Sequence, residues 1–479
     1  MGGIAVPATD HELSFPKGRQ MSVPKHRRVT TVALVAGIGL SLAACSTKDD
    51  DGGSSSGGNV SISVDCQPTD SQAELLKNWN EDVAAFKKDN PKIDIKSVSV
   101  GAQCNNPPDF TARLQGGTVT DIFYGYMTDR QQVIDSGQAM DITQYVTKDT
   151  VPTWDSIDAG AKAAFSDGGK VWGIPTKNYS MGLVYNKNLF AQAGLDAKNP
   201  PKTWAEARTA AKKIAALGNG IAGYAEYSAG NTGGWHFTAE LYAMGGQMVT
   251  PDGKKADFNN AMGRQVLQNL KDMRYGDNSM GAKQLLQWAD LLTNAGAGKV
   301  GMFVGAPDTT TAIVTQFQGK YQDWAMAPMP GQDGTGKATL GGGEGYFFKK
   351  GLTADQVKAG LAWLAFEKLT PGKGQFDYVR AKPENQPVGL PQPQLFTVGS
   401  AAHKQDLELR KANANINVED FAPFENNPVP IRFEPPNAQA IYAVLDAAMS
   451  AVLTDPTANI DQLLKTAEDK VNQVLTTNG

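Results

Sequence analysis

Short strand patterns alternate with helix patterns along this chain from residue 60 onward. Apolar and polar residues alternate in Val60–Val64 and again in Ile93–Val100, and one helical pattern lies between them. Strands joined by a single helix form a βαβ unit, in which they run parallel and lie side by side. Further strand patterns occupy 121–124, 181–185 and 299–304. The alternation predicts an α/β architecture with mainly parallel sheets.

Helix starts are marked by capping boxes, in which a Ser or Thr precedes a Glu or Gln by three residues. The pairs are Ser71 with Glu74, Thr203 with Glu206, and Thr353 with Gln356. An apolar stripe from Ile460 to Val474 predicts a final helix. Gly218–Gly223 fits the G-x-G-x-x-G pattern but follows a helix rather than a strand, so we expect a helix stop and a loop there.

Candidate binding residues follow the predicted strands, because ligands of open α/β sheets lie beyond the carboxyl ends of the strands. Tyr126 and Asp129 follow one strand, and Asp308 follows another. Asp308 also suits the N-cap of a helix starting near Thr309. The segment Leu340–Tyr346 places one carboxylate among glycines, where backbone can approach a ligand closely. Its candidates are Gly343, Glu344 and Tyr346.

The first 59 residues carry an export pattern. The basic cluster Lys25–Arg28 precedes the apolar run Val32–Leu42, which is shorter than the ~20 residues of a membrane-spanning helix. Leu42–Cys45 resembles the lipobox of bacterial lipoproteins. We therefore expect a signal peptide over 1–44, with Met1 or Met21 as the start, and lipidation of Cys45. The Gly- and Ser-rich segment 45–59 predicts a flexible linker.

The composition of the remaining chain excludes several classes of function. About 420 residues suffice for two domains or more, and the net charge of −4 without a long basic block argues against nucleic-acid binding. His236 and His403 are far apart, so we expect neither a metal site nor a cofactor. Cys66 and Cys104 predict a disulfide in an exported chain, with two free thiols as the alternative.

The central part of the chain resembles a known family. The segments that carry the resemblance are Val171–Pro175, Gly182–Phe190, Ala193–Leu195 and Pro200–Glu206. Together they are similar to the signature of extracellular solute-binding proteins (family 1) of ABC importers. The similarity is closest to the carbohydrate-binding cluster that includes maltose-binding protein.

The resemblance implies a fold and a mode of action. The expected fold is the two-lobe, type II flytrap of periplasmic binding proteins, with discontinuous α/β lobes that close on a solute. It further implies a monomer that is not an enzyme, captures a carbohydrate, most readily an oligosaccharide, and docks on the transmembrane subunits of a permease. With the anchor, it would work at the outer face of the cytoplasmic membrane and contact the membrane only through its lipid. The implied lobes are 60–175 with about 331–382, and 176–330 with about 383–479.

The resemblance also implies binding residues, by their positions in the family's pattern. Most of them are aromatic or acidic, as expected of a sugar site. Tyr126 and Asp129 would serve the first lobe, Tyr179 the first crossing, and Trp235 a stacking position beside His236. Asp308 and Ile441 stand where the family has aromatic residues, which weakens any claim for maltose. Trp235 could instead belong to a core, and His236 could be structural.

Two other functions remain open at this stage. The same fold could bind a peptide, a polyamine or a phosphodiester, for which a phosphate would need Arg or helix N-termini. An exported glycosidase would need two carboxylates flanking one bond, and nothing in the sequence places two of them in that way.

Overall fold

The computed structural model describes residues 59–101, 104–105, 107–382, 386–391, 395–427, 429–435 and 437–477. Its strands are β1 (Val60–Val64), β2 (Ile93–Ser97), β3 (Ile122–Tyr126), β4 (Ser166–Asp167), β5 (Lys170–Val171), β6 (Gly173–Ser180), β7 (Gly182–Asn186), β8 (Ala222–Tyr224), β9 (Val300–Gly305), β10 (Trp324–Pro328), β11 (Thr339–Phe348) and β12 (Ile431–Phe433).

The α-helices alternate with these strands. They are α1 (Ala73–Asp89), α2 (Pro107–Gln115), α3 (Arg130–Asp135), α4 (Ala159–Ala164), α5 (Lys187–Gln192), α6 (Trp204–Ala215), α7 (Thr232–Ala243), α8 (Ala261–Lys271), α9 (Trp288–Gly296), α10 (Asp308–Phe317), α11 (Ala354–Leu364), α12 (Tyr378–Ala381), α13 (Ala401–Asn413), α14 (Ala422–Glu425), α15 (Ala438–Thr454) and α16 (Ile460–Thr477).

Two main sheets organise the fold. The first has the order β12-β11-β3-β1-β2, with β6 paired to β11, and the second has the order β10-β7-β9-β8. Strands β1 and β2 are parallel neighbours joined through α1, which confirms the predicted βαβ unit. The expectation of mainly parallel sheets is wrong, because β11 pairs antiparallel with β3 and β6, and β7 pairs antiparallel with β9 and β10.

Each main sheet has its own core. One core covers the first sheet and includes Phe123, Phe347 and Trp363, and two further cores cover the faces of the second sheet. The C-terminal part of the chain contributes to the cores of both sheets: Leu395 and Phe396 belong to that of the first, whereas α15 and α16 belong to that of the second. The lobe boundaries expected from the sequence stay a prediction.

Two of the three predicted capping boxes are confirmed. Glu206 N donates to Thr203 Oγ1 at 3.1 Å, and Gln356 N donates to Thr353 Oγ1 at 3.3 Å. The first box is displaced: Thr69 N donates to Gln72 Oε1 at 3.2 Å, because a short 3₁₀ turn precedes α1. The pair Ser71 and Glu74 is therefore a wrong prediction.

Other local predictions can be compared with the structure directly. The Gly218–Gly223 pattern is the predicted helix stop, since α6 ends at Ala215 and the glycines at 218 and 220 have positive φ. The Cα atoms of Cys66 and Cys104 lie 4.9 Å apart, within the range of disulfides. The predicted signal peptide, Cys45 and nearly all of the linker lie outside the described residues.

Two features are absent from the described residues: a membrane-spanning helix and a cluster of possible metal ligands. No helix there is long and apolar enough to cross a membrane. No group of three or more His, Cys, Asp or Glu side chains in that part of the chain could hold a metal ion.

Helix α7 begins in close contact with α15, and this contact gives a test of the fold. A Cβ atom on Gly234 would lie 2.4 Å from the Cα of Tyr442. Because backbone cannot move aside as a side chain can, we expect Gly234→Ala to lower the free energy of unfolding by about 2 kcal/mol or more. Urea unfolding followed by circular dichroism measures the change. Gly276→Ala is the control, since its Cβ would meet open space, and equal unfolding midpoints for the two variants would contradict the assigned packing.

Candidate functional site

A cavity of about 460 Å³ is lined by residues of the first sheet, on β3, β6 and β11, and by segments that follow β8 and β9 of the second sheet. Its volume falls within the range of small-molecule sites. Six of the nine binding residues proposed from the sequence line it: Tyr126, Tyr179, Trp235, Asp308, Gly343 and Glu344. The structure therefore brings together side chains that are more than 200 residues apart in the chain.

One wall of the cavity is aromatic. The Trp235 ring lies 6.1 Å from that of Tyr179 and 6.3 Å from that of Tyr227, measured between ring centroids. Trp235 Nε1 donates to the Tyr179 hydroxyl at 3.3 Å, which fixes the orientation of both rings. Trp288 lies at the rim and is 37% exposed. Trp235, Tyr179 and Trp288 thereby offer apolar ring surface to a ligand. Tyr227 is only 3% exposed and packs against Trp235.

Asp308 lines the same cavity from the first turn of α10. The helix begins at Asp308 itself, and no side chain caps it. The capping role considered from the sequence is therefore not what the structure shows. The Asp308 side chain is exposed and has no hydrogen-bond or ion-pair partner among the described residues, so its carboxylate is available to a ligand.

Glu344 and Lys177 lie opposite each other on β11 and β6 at the other end of the cavity. The Glu344 carboxylate accepts a hydrogen bond from the Tyr124 hydroxyl. The neighbouring Gly343 has no room for a side chain, since its Cβ would lie 2.4 Å from the Lys177 carbonyl oxygen. Backbone therefore forms the cavity wall beside Glu344, as expected for a glycine-rich segment.

Three proposed residues lie behind the wall rather than in it. Asp129 Oδ2 accepts hydrogen bonds from Tyr126 N at 2.8 Å and Asn105 Nδ2 at 2.9 Å, and burial raises the pKa of Asp129 to about 6. Tyr346 is buried against Tyr124. His236 is fully buried, with Nδ1 2.5 Å from Glu226 Oε1 and its ring 4.3 Å from that of Tyr227. These three side chains pack behind residues of the cavity wall or of the sheet that carries it and do not face the cavity.

Sequence reasoning missed several residues of the wall: Lys177, Asn178, Tyr227, Trp288, Pro387 and Leu390. Tyr227 was detectable in principle, because it follows β8 just as Tyr126 ends β3. Leu390 was not, since its position depends on tertiary contacts: Arg410 Nη1 donates to the Leu390 carbonyl oxygen at 3.0 Å.

Glu434 lies beside this cavity and was also missed. Its carboxylate accepts a hydrogen bond from the Tyr442 hydroxyl at 3.1 Å and another from Tyr179. Burial raises the pKa of Glu434 to about 7, against the lowering effect of the Tyr442 hydrogen bond. The carboxyl group is thus partly protonated near neutral pH, between two tyrosines of different elements.

Among the other cavities of the described residues, two contain charged side chains that bear on the choice of site. One of about 450 Å³ is lined by residues that include Met127, Arg130, Gly342 and Glu434, and Gly342 precedes Gly343 of the aromatic cavity on β11. Another of about 330 Å³ contains Arg410, which is already paired with Glu425 at 2.7 Å. The aromatic cavity is the best candidate for a binding site, because it combines open ring faces with a carboxylate that has no protein partner.

Comparison with known proteins decides the family. The model of the bacterial extracellular solute-binding protein family matches residues 69–369, which is more than half of the chain. The chain belongs to this family. Its proteins are the solute-binding components of ABC importers.

Relatives and solved structures agree on the fold. An sn-glycerol-3-phosphate-binding periplasmic protein of Brucella abortus is 25% identical over 307 residues, a match that covers 60% of this chain and 64% of that protein. The cyclic α-maltosyl-1,6-maltose-binding protein of Arthrobacter globiformis is 22% identical, with a TM-score of 0.69 over 88% of this chain and 100% of that chain. UgpB of Mycobacterium tuberculosis, solved with glycerophosphocholine, is 15% identical with a TM-score of 0.63 over 88% and 99% of the two chains. The type II fold of periplasmic binding proteins is thereby confirmed.

The raised pKa of Glu434 predicts that the free energy of unfolding depends on pH. The unfolded chain releases this proton near pH 4.5, whereas the folded protein keeps it until about pH 7, so stability falls as the pH rises between these values. Because Gln carries no proton to lose, we expect Glu434→Gln to remove this fall, which is worth about 3 kcal/mol. Urea unfolding from pH 4.5 to pH 8 measures it. If wild type and variant show the same pH dependence, the assigned protonation of Glu434 is wrong.

Proposed function

We propose that this protein captures a carbohydrate by closing its two lobes and delivers it to the permease of an ABC importer. The observation that supports the proposal most is the aromatic wall of Tyr179, Tyr227 and Trp235, with the available Asp308 carboxylate beside it. A pyranose ring has an apolar face of C–H groups and an edge of hydroxyl groups. Aromatic faces cover the first, and carboxylates and amides accept hydrogen bonds from the second.

The neighbouring cavity favours an oligosaccharide over a single sugar. Consecutive glycines of β11 line the two cavities, Gly343 the aromatic one and Gly342 the other. Tyr179 of the aromatic cavity interacts with Glu434 of the neighbouring one. A solute of two or more rings could occupy both spaces on either side of this pair.

A glycerol phosphate ester is the second candidate. The Brucella relative is named for the monoester sn-glycerol-3-phosphate, and UgpB of Mycobacterium tuberculosis was solved with the phosphodiester glycerophosphocholine. The aromatic cavity argues against it. Among the described residues of its wall, Lys177 is the only cation, and the N-terminus of α10, which could hold a phosphate, carries the Asp308 carboxylate instead. The carbohydrate therefore remains the better supported ligand.

Lobe closure would follow from the position of the cavity between the two sheets. We place the lobes as the sequence indicated, 60–175 with about 331–382 and 176–330 with about 383–479. A solute that contacts both Glu344 on β11 and Asp308 on α10 binds the closed form better, and this differential affinity drives closure. The closed monomer then docks on the transmembrane subunits of the permease.

The remaining proposals concern the location of the protein. Signal cleavage and lipidation of Cys45 would tether the folded part to the outer face of the cytoplasmic membrane through segment 45–59. In that oxidising environment Cys66 and Cys104 would form a disulfide, which their Cα separation of 4.9 Å permits.

A ligand screen on residues 58–479, which form one compact unit, tests the function. Thermal shift identifies ligands that raise the unfolding midpoint by mass action, and calorimetry then measures affinity. The panel contains mono- and oligosaccharides, with glycerol phosphate, glycerophosphocholine, peptides and polyamines as controls. A selective shift with carbohydrates supports the proposal. A shift with glycerol phosphates alone would replace the carbohydrate by the second candidate.

Trp235 gives a sharper test of the site. We expect Trp235→Ala to weaken binding of the identified carbohydrate by about tenfold to a hundredfold, because one stacking face is lost. Trp235→Phe should keep most of the affinity. Trp154→Ala is the matched control, because Trp154 is also partly buried but lies outside the cavity. If Trp235→Ala and Trp154→Ala bind equally well by calorimetry, the aromatic wall is not the binding surface.

The disulfide has a separate test. We expect a reducing agent to lower the free energy of unfolding by about 2–4 kcal/mol, since the cross-link joins residues 38 apart in sequence. The Cys66→Ser, Cys104→Ser double variant should be insensitive to the reductant. Titration of the unfolded, unreduced protein with a thiol reagent is decisive, and two reactive thiols in residues 58–479 would refute the cross-link.

A further inference from the structure

Four side chains define what we call the ammonium corner of the cavity: Tyr179, Tyr227, Trp235 and Asp308. The three rings are contiguous, because Trp235 lies between the two tyrosines with centroid distances of 6.1 Å and 6.3 Å. The planes are inclined to each other by 52° and 48°. Because the rings are inclined, they do not form the single flat platform on which the extended face of a sugar ring stacks best.

The Asp308 carboxylate lies close enough to both tyrosines to act on them. Burial is the main reason why the pKa values of Tyr179 and Tyr227 are raised well above 10, and the charge of Asp308 raises both further. Neither tyrosine donates a hydrogen bond to Asp308, and no cation among the described residues pairs with it. The corner thus combines π faces with an uncompensated negative charge.

The other charged residues of the cavity wall are Lys177, two residues before Tyr179 on β6, and Glu344 on β11. Lys177 and Glu344 are directly opposite each other on β6 and β11, so the only cation of the described wall stands beside a carboxylate. Counting Asp308, Glu344 and Lys177, the wall carries one net negative charge. A cavity with low-dielectric aromatic walls concentrates such a field and attracts cations.

We propose that the ammonium corner binds a positively charged nitrogen, so that the solute is an amino sugar rather than a neutral sugar. Aromatic faces attract ammonium groups through the ring quadrupole, and a carboxylate at the same place adds a charge-assisted hydrogen bond. A hydroxyl group would form only a hydrogen bond to the carboxylate and would gain nothing from the ring quadrupole. This inference rests on the proposed carbohydrate function and narrows its substrate class.

Matched ligands test the inference. Glucosamine oligomers and N-acetylglucosamine oligomers of equal length are compared by calorimetry at a pH where the free amines are protonated, with residues 58–479 as the protein. The amino and acetylated forms differ in the charge of the nitrogen and in the size of its substituent, and the Asp308 variant below separates these two effects. We expect the amino form to bind about tenfold more tightly, and tetramethylammonium to compete with it.

Asp308→Asn should weaken binding of the amino oligomer more than that of the acetylated one and so narrow the difference between them. Asp355→Asn is the matched control, because Asp355 is also an exposed aspartate in the first turn of a helix but lies outside the cavity. It should leave both affinities unchanged. Unfolding midpoints of the variants confirm that each one is folded.

The outcomes separate this inference from the proposed function. If neutral and amino sugars bind wild type equally, or if the preference survives in Asp308→Asn, the inference is overturned while the carbohydrate function stands. If no carbohydrate binds but tetramethylammonium binds in a manner that depends on Asp308, the ammonium corner is supported and the carbohydrate function fails.

Discussion

The close antiparallel approach of β6 and β11 is the constraint on which the site depends. A Cβ on Gly341, Gly343 or Gly345 would come within 2.5 Å of a carbonyl oxygen of β6. Only glycine permits this approach, because any other residue would push the strands apart. The pairing sets Lys177 opposite Glu344 and brings Tyr179 to the same wall. β11 also pairs with β3 and sets Glu344 opposite Tyr126, the last residue of that strand, so that Tyr126 joins the site as well.

The position of Trp235 depends on a second close contact, between α7 and α15. Asp446 on α15 accepts hydrogen bonds from the backbone N–H groups of Asn231 at 2.6 Å and Gly234 at 2.8 Å. These bonds satisfy donors at the start of α7 that have no partner within the helix. They fix the direction in which Trp235 leaves the helix. His236, the next residue, packs on Tyr227 from behind, so both rings of the wall are held by buried groups.

Much of this arrangement could be predicted from local sequence. Strand β1 begins and ends where its alternation predicts, and the capping boxes at Thr203 and Thr353 mark true helix starts. The rule that ligands lie beyond strand ends led to Tyr126 and Asp308, and both line the cavity. In these cases the signal and the structure involve residues a few positions apart.

The features that were missed depend on contacts between distant segments. The antiparallel pairing of β11 with β3 cannot be inferred from an alternation of strands and helices, which favours parallel sheets. The sequence around Glu434 does not distinguish it from an ordinary glutamate. Its environment is set by contacts with the distant residues Tyr442 and Tyr179. Asp129 was predicted to bind the ligand, but its carboxylate accepts the Tyr126 N–H and is not part of the cavity lining.

The central claim is that a carbohydrate bound in the aromatic cavity draws the two lobes together. Small-angle X-ray scattering of residues 58–479, with and without the carbohydrate that calorimetry identifies, tests it most directly. The account predicts that saturating carbohydrate lowers the radius of gyration and that Trp235→Ala requires more carbohydrate for the same change. Tight binding with an unchanged scattering curve would contradict closure as the mechanism.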